Sequence, residues 1–168
     1  MKRFFCLLLS AIMLLTLFGC GSKEQKILEP VNFYYRRSEI DFAAENALIA
    51  PLVVESAGFD EIIPLLKIYL RGCEDDQFHH TFPTGTELVD AYVRGHTLYL
   101  FLSSDFARLT GIDLSIACAC ITMTALELVD ATYVCISAND VALDGAQSVT
   151  LSMEDLILED TFIPENLD

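Results

Sequence analysis

An α+β domain, built from a mixed β-sheet with two helices packed on one face, is what this sequence predicts. Three observations predict it. Pro83 to Phe106, PTGTELVDAYVRGHTLYLFLSSDF, has the pattern of a β-hairpin held between two polar turns. Ser115 to Leu126 carries no charge and is rich in small residues, as a helix buried nearly all round would be. Strand-like and helix-like stretches also succeed one another as strand, strand, helix, hairpin, helix, strand, with a last strand near the C-terminus. A hydrophobic fraction of 53% in 168 residues is enough to fill the core of one such domain.

The first strand is Val31 to Arg37, VNFYYRR, aromatic and β-branched after Pro30. Ala47 to Ser56, ALIAPLVVES, is also extended, and Pro51 places it at an edge or a bulge because proline cannot donate to a ladder. Asp60 to Gly72 has helical spacing, with Ile62, Leu65, Leu66 and Tyr69 on one face. Pro64 fits the first turn of that helix, where its missing N–H costs little, and Arg71-Gly72 close it. The connection CEDDQFHHTF is polar and acidic.

In the hairpin, Gly95-His96 reads as a two-residue loop. That register sets Val93 opposite Leu98, Ala91 opposite Leu100 and Val89 opposite Leu102 on one face. Tyr92 then meets Tyr99, and Asp90 meets Phe101, on the other. The second helix runs from about Asp113 to Leu128, with Asp113 or Thr110 as N-cap. Ala131 to Ser137 reads as a strand, and Ser148 to Ser152 as the last one. Residues 161–168 form an acidic tail, expected to fray.

The N-terminus carries an address rather than structure. Lys2 and Arg3 precede an apolar run from Phe4 to Phe18, shorter than the roughly 20 residues of a spanning helix. Leu17-Phe18-Gly19-Cys20 resembles the bacterial lipobox, although Phe18 stands where a smaller residue is usual. Residues 1–19 are thus expected to be a lipoprotein signal peptide, with Cys20 lipidated and anchoring the chain to the membrane. An uncleaved N-terminal anchor is the alternative. Residues 20–29 read as a flexible tether and 30–160 as the domain. Two acyl chains hold a protein on a bilayer where one would not, at roughly 0.8 kcal/mol per buried methylene.

Twenty-five acidic residues face 10 basic ones, a net charge of −15. Loss of Lys2 and Arg3 takes the basic count to 8 and the side-chain charge to −17. Such acidity excludes the basic face that nucleic-acid binding needs. It suits a solvated surface outside the cytoplasm, or one that meets a basic partner.

With these elements in order, the chain resembles a GerMN domain over about residues 30 to 160. The residues that carry the resemblance are Pro83, Gly85 and Thr86 before the hairpin, Gly95 at its turn, and Leu98 to Phe106 with the Ser103-to-Phe106 exit. The small-residue helix around Thr122 to Leu126, the strand Tyr133 to Ile136, and Leu65 to Gly72 fit the same pattern. The continuation through Cys73 and Asp75-Asp76 is less typical. The resemblance implies an anchored envelope domain that works through interactions, including in sporulation, and it brings no catalytic residues with it.

No constellation in the sequence stands out as catalytic. His79-His80 point apart in any regular structure, so joint metal ligation would need a loop conformation, with Glu74, Asp75 or Asp76 as further ligands. Cys73, Cys118, Cys120 and Cys135 read as small buried hydrophobes. A Cys118–Cys135 or Cys120–Cys135 bridge is the alternative. Cys118 and Cys120 lie roughly 200° apart around a helix and cannot bridge each other. Ser103-Ser104-Asp105 lacks a nucleophile elbow, and no P-loop, G-x-G-x-x-G or H-E-x-x-H is present. No cofactor is expected.

The expected function is therefore non-catalytic: an extracytoplasmic, lipid-anchored domain that binds envelope proteins, with sporulation as one setting. The alternative is a module for a small ligand or cell-wall polymer, with Tyr34, Tyr35, Tyr92 and Tyr99 as exposed aromatics that could stack on it. Exposed edges at Val31 to Arg37 or Ser148 to Ser152 would allow strand addition and leave homo-oligomerisation open.

Overall fold

Val31, Phe33 and Tyr35 alternate with Asn32, Tyr34 and Arg36, and the first set is the one buried in the computed structural model. The structure describes residues 29–40, 48–56 and 62–156. The expected signal peptide 1–19, Cys20, all of the expected tether 20–29 except Glu29, and the tail 161–168 lie outside the described residues.

Among the described residues, six strands and two α-helices run in the order β1 (Glu29–Arg36), β2 (Ile49–Ser56), α1 (Ile62–Leu70), β3 (Leu88–Arg94), β4 (Thr97–Leu102), α2 (Gly111–Leu128), β5 (Tyr133–Ala138) and β6 (Val149–Leu151). The class is α+β, as the sequence predicts. The strands divide into two sheets. β1 and β2 form an antiparallel pair of their own, and β3-β4-β5-β6 form a mixed sheet in which β4 and β5 are parallel. Helix α2 packs on β1 and on β5 and β6, so it joins the two sheets. By length and composition α2 could cross a membrane, yet most of it is buried in the core of this domain.

The hairpin register holds from Arg94↔Thr97 to Asp90↔Phe101. It then breaks. Leu102 is paired by Leu88, not Val89, because a bulge lies between Leu88 and Asp90. Val89 swings out to 57% exposure and Leu88 enters the core. Leucine brings one more methylene to that core than valine, about 0.8 kcal/mol of burial. Val93 also remains exposed although it shares a face with Ala91, since β3 lies at the border of its sheet.

The first helix ends as its sequence suggests: Gly72 has φ +82°, and its N–H donates to the Tyr69 carbonyl. Two buried phenols fasten α1 to β1. The Tyr35 hydroxyl donates to the Tyr69 carbonyl at 2.9 Å, and the Tyr69 hydroxyl donates to the Tyr34 carbonyl at 2.9 Å. Thr110, not Asp113, is the N-cap of α2; Asp113 lies in the first turn and pairs with Arg36 at 2.8 Å.

The sheet borders are blunted, each in its own way. On β1, the N–H groups of Tyr34 and Arg36 point outward and are taken by the Thr124 and Thr81 hydroxyls. This corrects the expectation that Val31 to Arg37 is a free edge. Pro51 sits opposite Tyr34, so its missing N–H also points outward and costs no ladder bond. On the larger sheet β3 is bulged, and β6 is only three residues long.

Candidate functional site

Helix α2 and the inner residues Leu98, Leu100, Leu102, Val134 and Ile136 form the core under the four-stranded sheet. Strand alternation sends their neighbours to the opposite face, and no described helix covers it. Three cross-strand rows lie there: Arg94, Thr97 and Tyr133; Tyr92, Tyr99, Cys135 and Thr150; and Asp90, Phe101 and Ser137. Parallel strands are ordinarily covered on both faces, so a bare face over the β4–β5 pair departs from the norm.

The centre of this face is aromatic. Tyr92 stacks on Tyr99 with ring centroids 5.1 Å apart and planes at 19°, and on Phe101 at 5.7 Å and 27°. Such pairs contribute about 0.5–1.5 kcal/mol beyond their burial, so the rings are held in place before any partner arrives. Tyr92 and Tyr133 remain 45% exposed. Asp90, next to the bulge, and Arg94, at the turn end of β3, give the patch a charge of each sign.

Of the four tyrosines expected at an interaction surface, the structure brings together only Tyr92 and Tyr99. Tyr34 is half-buried against α2. Its pKa is raised by burial, and then by the charge of Glu127 and a hydrogen bond to it. Tyr35 is not exposed at all: at 1% exposure it belongs to the core with Phe33 and Tyr69, because period-two alternation puts it on the face of Val31. Burial drives its pKa well above the tyrosine norm. Phe101 joins them on the face where the hairpin register had set it opposite Asp90, although it was not named among the candidate aromatics, and Tyr133 joins without having been expected there. Phe101 could have been added to the candidates, being two residues beyond Tyr99 on the same strand. Tyr133 could not, because it arrives through the long-range parallel pairing of β5.

The remaining candidates take structural positions. His79 donates its backbone N–H to the Arg36 carbonyl. Among the described residues no three histidine, cysteine or carboxylate side chains converge as a metal site. All four described cysteines are unpaired. Cys118 lies under the inner face and Cys135 on the outer one, so the sheet itself separates them. The Ser103 hydroxyl donates to the Gly85 carbonyl and accepts from the Glu87 N–H, which commits it to the turn before the hairpin.

Fold and face together define a small α+β domain whose prominent feature is an open aromatic sheet surface. The fold is GerMN-like. Among solved structures the chain is similar to the tandem GerMN domains of the sporulation protein GerM from Bacillus subtilis, at 16% identity and a TM-score of 0.53, over 78% of this chain and 47% of that one. The chain thus spans about half the length of that structure. It is also similar to a protein of Clostridium perfringens provisionally named a lipoprotein, at 14% identity and a TM-score of 0.48, over 81% of this chain and 95% of that one. No protein-family profile and no curated protein matches the sequence.

Proposed function

We propose that this chain is a non-catalytic domain, lipid-anchored at Cys20 outside the cytoplasm, that docks an envelope protein on the open face of its four-stranded sheet. The observation that carries the proposal is the Tyr99–Tyr92–Phe101 stack at the centre of that face. Exposed aromatics of low conformational freedom are what protein interfaces select for. The wall-polymer alternative needs a free ring face for a sugar to lie on, whereas these rings turn faces toward one another. The setting is supported by the lipobox-like site at Leu17 to Cys20 and by likeness to a fold found in a sporulation protein.

A photo-crosslinking residue in place of Tyr92, compared with one in place of exposed Val53 on the other sheet, tests the docking. Membranes should yield a discrete adduct from position 92 and none from 53; identical adduct patterns from both would refute it. Cys20→Ser should release the protein or leave it unprocessed, and unchanged membrane retention with unchanged mass would refute the anchor. Phosphate-free wall glycan fragments should leave the melting midpoint unmoved, since only a ligand of the native state raises it.

A further inference from the structure

A groove runs between the C-terminal turn of α1 and the loop 83–87 that leads into β3. It holds about 570 Å3, and Lys67, Arg71, His80, Thr84, Thr86 and Glu87 supply its polar lining. In a chain with 10 basic residues against 25 acidic ones, such a gathering is unusual. Arg36 and Arg108 are paired with Asp113 and Asp105. Lys67 and Arg71 have no carboxylate partner among the described residues. Lys67 lies in the last turn of α1 and Arg71 just beyond its end, four residues on, so the two like charges repel. Their position near a helix C-terminus favours positive charge, but that does not explain why His80 and Thr86 meet them.

Thr86 supplies an independent observation. The residue is 6% exposed, and its hydroxyl is buried without a hydrogen-bond partner among the described residues. Buried hydroxyls are ordinarily paired, and one that is not needs an explanation. The loop around it is already fixed. Ser103 Oγ holds the Gly85 carbonyl at 2.9 Å and the Glu87 N–H at 3.1 Å, and Arg108 donates to the Thr84 carbonyl at 3.4 Å. Gly85 has φ +93° and abuts the Asp105 carboxylate so closely that a Cβ would come within 3.0 Å of it. The groove wall is therefore preorganised.

We infer that this groove binds a phosphate ester of a small polyol. A carboxylate is satisfied by one planar fork. A phosphate presents several oxygens in three dimensions and takes donors from several directions, as a guanidinium, an ammonium, an imidazole and a hydroxyl from separate segments supply. The volume exceeds that of phosphate alone and leaves room for the organic part. Glu87, of the opposite sign, faces the neutral hydroxyl-bearing end, where a carboxylate accepts hydrogen bonds. This site is separate from the aromatic face, and either can fail while the other stands.

Calorimetric titration of the full chain in neutral detergent with glycerol 3-phosphate tests the inference, with glycerol as the control. Saturable binding with one site per chain is expected for the phosphate ester and none for glycerol. Lys67→Gln combined with Arg71→Gln should weaken binding at least tenfold, while Arg94→Gln, at the far hairpin turn, should leave it unchanged. Both groove cations are exposed, so the double variant should fold, and an unchanged circular dichroism melt would verify that. Thr86→Val should weaken binding several-fold. A glycerol-phosphate oligomer that binds more tightly than the monomer would assign the ligand to a polymer, and a weaker one to a free ester. Absence of saturable binding, or full affinity in the double variant, overturns the inference.

Discussion

Replacing Tyr69 with phenylalanine should lower stability by about 1–1.5 kcal/mol. The ring is fully buried, with centroids 5.0–5.3 Å from those of Phe33, Tyr35 and Phe82, and phenylalanine keeps all of those contacts. The loss is confined to one hydroxyl, which donates to the Tyr34 carbonyl. A net hydrogen bond is worth about 1 kcal/mol, and a stranded buried acceptor raises the cost toward about 3 kcal/mol. Tyr34 is only half-buried, so water recovers part of that penalty and the lower range applies. For a domain of this size the melting midpoint should fall by roughly 3–8 °C. Tyr35→Phe, which removes the reciprocal bond to the Tyr69 carbonyl, should cost a similar amount. The double variant should be non-additive, because the two bonds share one contact between β1 and α1. Far-ultraviolet circular dichroism melts with urea titrations measure all three. If either phenylalanine variant melts at or above the parent, the hydroxyls do not fasten the small sheet to α1 and the reasoning fails.

The Thr122 hydroxyl is buried and unpartnered among the described residues, so Thr122→Val should raise stability by about 0.5–1 kcal/mol, whereas Thr124→Val should cost about 1–2 kcal/mol by stranding the Tyr34 N–H. Urea midpoints that move together would contradict this pair. Burial pushes the thiols of Cys118 and Cys120 up to about 12, so native chain at pH 8 should alkylate at Cys135 and not at these two. Peptide mass spectrometry that finds either modified before unfolding would refute a buried α2. The same shifts have a pH signature: unfolded thiols ionise from about pH 9, while the folded ones stay neutral to about 12. Their contribution to stability is complete below pH 9 and drains away as pH rises toward 12, with Tyr35 and Tyr69 adding in the same sense. A melting midpoint that stays flat to pH 11 would exclude it. Gly85→Ala should destabilise by about 1–2 kcal/mol, since alanine resists φ +93° and its Cβ would crowd Asp105.

What the sequence made legible is local. The Gly95-His96 turn fixes the hairpin register as far as Asp90↔Phe101, because a two-residue loop leaves no freedom in the pairing on either side of it. The bulge at Val89 was not legible, since it depends on where a core assembled from distant segments admits Leu88. Division into two sheets was hidden for the same reason: strand spacing shows that β1 and β2 exist, not that α2 reaches across to both sheets. Tyr35 is a different matter. Its alternation with Tyr34 was present in VNFYYRR, and counting by twos from Val31 places it inside. At the candidate face, Tyr92 and Tyr99 were readable through the turn, while Tyr133 waits on a parallel pairing with a strand far away in the chain. The groove draws on the end of α1, on His80 late in the acidic connection and on the loop 83–87, so no local pattern announces it.

The threonine-capped border of β1 carries a consequence for how copies of this chain behave together. A strand that accepts a neighbour at its rim creates a fresh rim on that neighbour, so such contacts grow without limit. A contact made through a flat surface is used up once it forms. With the Thr81 and Thr124 hydroxyls occupying β1, proline interrupting β2, a bulge in β3 and β6 cut to three residues, open-ended growth is discouraged on every side. Molecules of this design can be crowded to high local density and still associate in closed, countable numbers.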